Sequence, residues 1–205
     1  MFEDRRRVGY LLAQKLEKFA KKNVLVLGMA RGGVVVAKVI STFLDKPMDV
    51  IVVKKIGAPH NPELAIGAVA GKGTVFWNND LVNNLQITPE LGKSLSQDKE
   101  KERKEQEKVL RGDKPLEIFR KTVILVDDGV ATGASVIAAS LYLKKEKAKE
   151  IILAAPVIAK DILRDINKYF DTVISLKIVK EFESVGQFYR HFPQVENDEV
   201  RKLLT

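Results

Sequence analysis

Several residue types that often carry chemistry are missing or rare in this chain. The 205-residue sequence has no cysteine and only two histidines, His60 and His191. The lack of cysteine excludes disulfide bonds, thiolate chemistry and cysteine-ligated metal sites, and two isolated histidines do not make a typical metal cluster. No apolar run approaches the ~20 residues that cross a bilayer, and Met1–Arg7 has no apolar segment resembling a signal peptide. These absences predict a cytoplasmic protein with no membrane partner.

Charge is abundant in this chain. Lysine and arginine number 35 against 27 acidic residues, which gives a formal net charge of +8 at pH 7. The basic residues are spread among acids, and no basic run is interleaved with aromatic residues. This distribution argues against nucleic acid as the main partner. It also suits a ligand that carries several phosphate charges.

Strand-like and helical patterns alternate along the chain. Short apolar runs typical of strands are found at Val24–Leu27, Val50–Val53, Val123–Val126, Ile151–Ala155 and Thr172–Leu176. Apolar residues at helical spacing are found in Asp4–Lys21, Val34–Leu44, Ala134–Lys145 and Lys160–Tyr169. Ile66–Val69 and Thr74–Trp77 are consistent with a short hairpin around Gly71–Gly73. We predict one α/β domain, with a mainly parallel five-stranded sheet and helices on both faces.

The most informative segment lies between residues 123 and 135. Two carboxylates, Asp127 and Asp128, directly follow a strand-like run, and small and hydroxyl residues then lead into a helix. A glycine- and hydroxyl-rich turn at a helix start offers free amides to a phosphate. The acid pair suits ribose hydroxyls or a hydrated Mg²⁺ ion, so the natural ligand is a sugar phosphate. Alternatively, the aspartates only end a strand and cap the next helix.

This segment resembles the diphosphate-sugar signature of the type I phosphoribosyltransferases. Asp127 and Asp128 match the acid pair of that family. The resemblance implies that the pair binds the ribose hydroxyls and Mg²⁺, and that the following loop holds the 5′-phosphate. The residues of that substrate-binding loop are Gly129, Val130, Ala131, Thr132, Gly133, Ala134 and Ser135. At Ala131 the 6-oxopurine enzymes carry an aspartate, so this loop lacks that group.

Two further loops fit the same resemblance. Arg31, Gly32 and Gly33 follow the first strand and resemble the family's pyrophosphate loop, which often holds a non-proline cis peptide, here expected within Met29–Arg31. The alternative is a tight turn from strand to helix. Lys55 matches a basic residue that similar enzymes place against the diphosphate, and we prefer it to Lys54; an ordinary exposed strand end is the alternative.

The proton-handling and base-binding residues are less clearly marked. Glu63 is the nearest unassigned carboxylate that could act as a catalytic proton carrier in place of the group absent at Ala131; a surface glutamate is the alternative. Residues 182–192 are rich in aromatics and match the position of the family's hood, which stacks on the nucleobase. Phe188 or Tyr189 could supply the ring face. Simple packing of these rings is the alternative.

The segment Ser94–Lys108 differs from the rest of the chain. It has no apolar residue from Ser96 to Lys108, yet opposite charges stand at helical spacing. The expected pairs are Glu100 with Lys104, Lys101 with Glu105, and Glu105 with Lys108. Leu91, Leu95, Val109 and Leu110 are candidate anchors of its ends. One interpretation is a solvated helix that projects from the core; the other is part of a mobile lid.

The resemblance covers nearly the whole chain and points to one group within the family. The chain is similar to a group of uncharacterised bacterial and archaeal phosphoribosyltransferases through Asp4–Arg6, Ala30–Val34, Gly57–Val69 and Val185–Tyr189. It implies a core of about 1–176, a lid or helical excursion of about 57–112, and a C-terminal hood of about 177–205. The implied activity is Mg²⁺-dependent transfer of a phosphoribosyl group from phosphoribosyl diphosphate to a nucleobase, by a homodimer. A non-catalytic sensor of phosphoribosyl diphosphate or a nucleotide is the alternative.

Overall fold

A five-stranded parallel sheet organises residues 1–205, all of which are described by the computed structural model. The strands of the chain are β1 (Val24–Met29), β2 (Met48–Ile51), β3 (Lys54–Ala58), β4 (Asn61–Ala70), β5 (Thr74–Trp77), β6 (Thr122–Val126), β7 (Glu150–Ala159) and β8 (Thr172–Val179). The helices are α1 (Arg5–Leu16), α2 (Gly32–Leu44), α3 (Asn79–Asn84), α4 (Pro89–Arg111), α5 (Ala134–Lys145), α6 (Leu163–Ile166) and α7 (Asn197–Leu204). The parallel sheet has the order β2-β1-β6-β7-β8. None of the helices is both long and apolar enough to span a membrane.

Both faces of the parallel sheet are covered, as predicted. Successive residues of β1 and β6 are buried on opposite sides, because side chains alternate along a strand. One side packs against α1 and α2, for example Leu12 and Ile40 against Val26. The other side packs against α5, for example Leu143 against Leu125. The predicted fold class is therefore confirmed.

A second, antiparallel sheet of order β3-β4-β5 follows the first crossover. It contains the predicted hairpin, whose strands join through a short 3₁₀ turn at Gly71–Gly73. β4 is longer than expected, and β3 was not predicted as a separate strand. The reason is that the apolar run ending at Val53 passes directly into Lys54 and Lys55, which are typical of a strand end. β3 pairs with β4 through Lys54 opposite Val69 and Lys55 opposite Ala68.

The predicted helix at Lys160–Tyr169 is wrong in extent. β7 continues to Ala159, and the link from there to β8 forms turns, with only α6 as helix. Its hydrogen bonds are short-range, such as Asp165 N to Ile162 O at 3.1 Å. Ile166 is the only buried residue of α6 and its two neighbours on each side are exposed, so the segment buries too little apolar surface to stabilise a longer helix.

The charged segment forms the helix α4, but it does not project into solvent. It begins after Thr88, whose hydroxyl accepts a hydrogen bond from Leu91 N, and it packs along β3 and β4. Arg103 is only 3% exposed and bonds to Glu100 at 2.6 Å and to Glu107 at 2.7 Å. The two carboxylates replace water as partners of the buried guanidinium, so this charged face of α4 can pack against the core.

The predicted pairing and anchoring of α4 are confirmed only in part. Glu100 and Lys104 lie 3.7 Å apart, whereas no ion pair forms between Lys101 and Glu105 or between Glu105 and Lys108. Leu110 is buried and Leu95 packs against the second sheet. The other two predicted anchors are exposed, Leu91 by 40% and Val109 by 49%.

Two glycines give opposite stability predictions. A Cβ on Gly71 would lie 2.5 Å from the Cζ atom of Tyr142, whereas a Cβ on Gly92 in α4 meets nothing closer than 3.7 Å. We expect Gly71→Ala to lower the free energy of unfolding by about 1–3 kcal/mol through overpacking. Gly92→Ala should raise it by about 0.5–1 kcal/mol, because alanine favours a helix. Thermal melts of both variants test this pair, and a stable Gly71→Ala would contradict it.

Candidate active site

The acid pair lies at the carboxyl end of the parallel sheet, as predicted. Asp127 and Asp128 follow β6 directly, between the ends of β1 and β7. The amide of Asp127 donates to Ala154 O at 3.2 Å. Its Oδ1 accepts a hydrogen bond from the amide of Asp128 at 2.9 Å. The backbone thus fixes both carboxylates at the sheet edge where ligands bind in open α/β sheets.

The two carboxylates have different electrostatic surroundings. Burial raises the pKa of Asp127 well above its ordinary value, and the adjacent Asp128 charge raises it further, while Lys55 acts in the opposite direction. Asp128 has a direct counter-ion, because its Oδ2 accepts a hydrogen bond from Arg5 Nε at 2.8 Å. The side chain of Asp128 is 14% exposed and that of Arg5 is 8% exposed. One acid is therefore neutralised by an ion pair and the other is left without a direct cation.

Arg5 is a site residue for which the sequence suggested no role. Besides Asp128, it donates from Nη1 to Pro193 O at 2.7 Å, and its guanidinium lies 3.7 Å from the centre of the Phe192 ring. The Tyr189 hydroxyl donates to Asp128 O at 2.6 Å. Arg5 and Asp128 are 123 positions apart in sequence, so only the Asp4–Arg6 signature could have drawn attention to it. The N-terminus, the acid pair and the C-terminal segment thus form one hydrogen-bonded unit.

The predicted phosphate loop forms a turn whose backbone amides are free. Gly133 has φ +78° and precedes α5, which has no acidic residue in its first turn. None of the amides from 131 to 136 has an acceptor in the chain, and Thr132 is exposed. The loop is anchored just before this turn, where Val130 N donates to Val157 O at 2.9 Å. Free amides and the positive end of the helix dipole make this turn suitable for a phosphate.

The glycine loop after β1 is pressed against the acid pair. The peptide bond between Ala30 and Arg31 is cis, within the Met29–Arg31 span where the resemblance places one. A Cβ on Gly32 would lie 1.9 Å from Asp128 Oδ2, and one on Gly33 would lie 2.5 Å from Val126 O. Glycine is therefore required at both positions for the loop to approach the carboxylates.

The two predicted cations of the diphosphate site differ in their partners. Arg31 Nη1 lies 3.0 Å from Glu196 Oε2 in an exposed ion pair with the C-terminal segment. Lys55 on β3 is exposed, has no ion pair, and is close enough to lower the pKa of Asp127. A cavity of about 570 Å³ adjoins Arg31 and Lys54, with α4 as its opposite wall.

The remaining predicted residues lie apart from this cluster or beneath it. Glu63 is exposed near the β3–β4 turn and makes no side-chain hydrogen bond or ion pair; its catalytic role stays a prediction. Tyr189 is 5% exposed, with its ring between those of Phe2 and Phe192, so the ring face predicted for a base is covered. Phe188 is half-buried against Phe182, at 4.9 Å between ring centres.

The carboxylates of this site are suited to a metal ion that keeps part of its water shell rather than to one bound only by protein groups. No group of three or more acidic or histidine residues stands together in the chain. Asp127 and Asp128 supply two carboxylates, and Mg²⁺ commonly uses one or two carboxylates with water and substrate phosphates. The arrangement therefore has the groups to bind a phosphate, a diol and a substrate-borne Mg²⁺ side by side.

A sequence-family comparison matches nearly the whole chain. The family model described as "Phosphoribosyl transferase domain" matches residues 3–191. A Mycobacterium tuberculosis protein that carries the provisional name phosphoribosyl transferase is 36% identical over 205 residues. That alignment covers 100% of this chain and 46% of the relative, so the chain spans about half the length of the curated relatives it matches.

Structural comparison identifies the same fold in proteins of known structure. The crystal structure of a Thermus thermophilus protein has a TM-score of 0.83 and 32% identity, covering 100% of this chain and 97% of that one. A purine phosphoribosyltransferase from Pyrococcus horikoshii has a TM-score of 0.51 and 21% identity, covering 94% and 92%. The second similarity shows the fold alone.

Proposed function

Since this chain belongs to the phosphoribosyl transferase family, we propose that it transfers a 5-phosphoribosyl group from phosphoribosyl diphosphate to a nucleobase-like acceptor and releases pyrophosphate. The observation that carries the proposal is the close approach of the glycine loop to the acid pair, which the amide-lined turn directly follows in the chain. A fold alone hosts many activities, whereas this site has the chemistry of the donor. A cytoplasmic homodimer is part of the same proposal.

Each part of the site has a role in this reaction. The free amides of residues 131–136 bind the 5′-phosphate. Asp127 and Asp128 orient the ribose through its hydroxyls. C1 of the ribose becomes cationic as pyrophosphate leaves. Arg31, Lys55 and the loop after β1 stabilise the negative charge of the departing pyrophosphate. Closure of the segment after Glu63 would exclude water that hydrolyses the donor.

The metal and the proton carrier complete the proposal. Mg²⁺, held by Asp127 and Asp128 directly or through water, would neutralise the diphosphate when bound. The phosphate loop has Ala131 where a general base would stand, so Glu63 is the proposed proton carrier. Its exposed position requires movement of the β3–β4 turn toward the acceptor.

The assay for this proposal measures pyrophosphate release. The protein is mixed with Mg²⁺, phosphoribosyl diphosphate and, in turn, purines, pyrimidines and nicotinate-like acids. We expect release with one class of acceptor and none without an acceptor. A protein that binds the donor but is silent with every acceptor would contradict catalysis.

That outcome would favour a second function, a non-catalytic sensor of phosphoribosyl diphosphate or a nucleotide. Two observations support it: Ala131 stands in the phosphate loop, and Glu63 is exposed and makes no side-chain hydrogen bond or ion pair. Under this alternative the donor binds with the same dependence on Asp127. Salt-dependent retention on DNA or RNA would add nucleic acid as a partner.

Glu196 competes with the donor for Arg31. Because the pair is exposed, it contributes at most about 1 kcal/mol, so Glu196→Gln should strengthen donor binding by about two- to fivefold. Titration calorimetry with phosphoribosyl diphosphate measures the change. Glu199→Gln, also on the C-terminal segment but outside this ion pair, is the control. Weaker binding by Glu196→Gln would show that Glu196 positions Arg31 for the donor instead of competing with the donor for it.

A further inference from the structure

A cavity of about 540 Å³ lies between the second half of α4, the loop that follows it, the Gly71–Gly73 turn and the end of α5. Its volume is that of a small-ligand site. None of the residues assigned to the donor site lines it. Basic side chains outnumber acidic ones in its lining by six to three: they are Lys72, Arg103, Lys104, Lys108, Arg111 and Lys114.

Tyr142 points to a ligand in this cavity. It is 6% exposed, yet its hydroxyl makes no hydrogen bond in the chain while it lines the cavity. The ring is fixed by Gly71, where a Cβ would lie 2.5 Å from Cζ. Burial, together with the charges of Glu146 and Glu107, raises the pKa of Tyr142 to about 12. At neutral pH the hydroxyl is protonated, as in any tyrosine, and can donate to an anion.

The charges around Tyr142 leave cations available to such an anion. Arg103 and Arg111 are held in place by ion pairs to α4 glutamates and to Asp49. Lys108 and Lys114 are exposed and take part in no ion pair. The two guanidiniums are neutralised by these carboxylates, so the two free lysines supply the positive charge and the mobile donors for an anion.

The helix α4 separates this cavity from the donor site. Arg103, Lys104, Glu107, Lys108 and Arg111 line the cavity, and this spacing places them on one face of a helix. Glu102, Glu105, Gln106 and Val109 face the other cavity, beside Arg31. Along α5, Tyr142 is about 12 Å from Ala134 at the phosphate turn, at 1.5 Å per residue. The two cavities are thus distinct sites.

We propose that the cavity around Tyr142, Lys108 and Lys114 is a second anion site, which binds a metabolite that carries several phosphate groups. The phosphate oxygens accept hydrogen bonds from the Tyr142 hydroxyl and from the two lysines. Binding at this site does not depend on the proposed transferase activity.

The test uses sodium tripolyphosphate as the probe and amide signals in NMR spectra of the whole chain. Tripolyphosphate should shift the signals of Gly71 and Gly112 in the second cavity, and separately those of Gly133 at the donor site. Lys108→Ala/Lys114→Ala should abolish the first set and leave the second. Lys15→Ala/Lys21→Ala removes the same charge from exposed positions outside the cavity and should change neither set.

Tyr142→Phe keeps the ring and removes only the hydroxyl. The Gly71 and Gly112 signals should then need about a tenfold higher tripolyphosphate concentration for the same shift. Absence of those shifts at millimolar tripolyphosphate, or equal shifts in the lysine variant and its control, would overturn the second site. Loss of the Gly133 shifts alone would count against the proposed function and not against this inference.

Discussion

Asp127→Asn should strongly weaken binding of phosphoribosyl diphosphate while the protein stays as stable as the wild type or becomes more stable. The affinity loss should reach about 100-fold, since a carboxylate hydrogen-bonded to a diol, or coordinating Mg²⁺, is replaced by a neutral amide. The asparagine oxygen still accepts the hydrogen bond from the amide of Asp128 that Asp127 Oδ1 now accepts. Titration calorimetry and thermal melts measure the two effects separately.

The stability part of this prediction follows from the raised pKa of Asp127. Burial and the Asp128 charge disfavour the ionised carboxylate in the folded state. A raised folded-state pKa means that the wild type loses stability as pH rises above the ordinary carboxyl pKa of about 4. Asp127→Asn lacks this loss. Its free energy of unfolding should therefore exceed that of the wild type most at neutral pH, and the difference should vanish in acid. A variant that melts far below the wild type at pH 7 would contradict this account.

Arg5→Ala should lower the free energy of unfolding by about 3–5 kcal/mol, because it leaves the Asp128 carboxylate buried without its cation. For a chain of this length the melting temperature should fall by about 10 °C. The variant also loses the bond to Pro193 O and the contact with the Phe192 ring. Arg6→Ala is the matched control, since Arg6 is exposed and makes no ion pair.

Arg5→Lys tests the geometry of this contact. Lysine keeps the charge but cannot bond in two directions and stack at the same time. We therefore expect a loss between those of Arg6→Ala and Arg5→Ala. If Arg5→Ala melted like Arg6→Ala, the ion pair between Arg5 and Asp128 would not hold the acid pair in place.

The sequence predicts the parallel sheet because buried parallel strands are continuous apolar runs. Each of the five runs contributes a strand, although β2 ends at Ile51 and leaves out Val52 and Val53, and Ala134–Lys145 is a helix with the predicted bounds. The rule that parallel strands end at one edge then places the acid pair beside the glycine loop. β3 escaped prediction because it begins with Lys54 and Lys55, which are at least partly exposed and follow the apolar run directly, so they look like the end of that strand.

The sequence could not predict contacts that depend on distant pairing. Arg103 stands at helical spacing from Glu100 and Glu107, but its burial depends on the packing of α4 along β3 and β4, which no local pattern indicates. The pairing of Arg31 with Glu196 spans 165 positions, and that of Arg5 with Asp128 spans 123. No periodicity or spacing rule connects residues at such separations, so the electrostatic state of the site follows from tertiary structure.

The backbone pairing of Phe2 with residues 188–190 has a consequence for folding kinetics. Phe2 N donates to Phe188 O at 2.7 Å and Arg190 N donates to Phe2 O at 2.8 Å. Closing a loop of nearly the whole chain costs about 5 kcal/mol in chain entropy by the logarithmic rule, and contacts of such high order form slowly. In stopped-flow refolding, the secondary-structure signal should therefore recover before the chain regains its affinity for ligand.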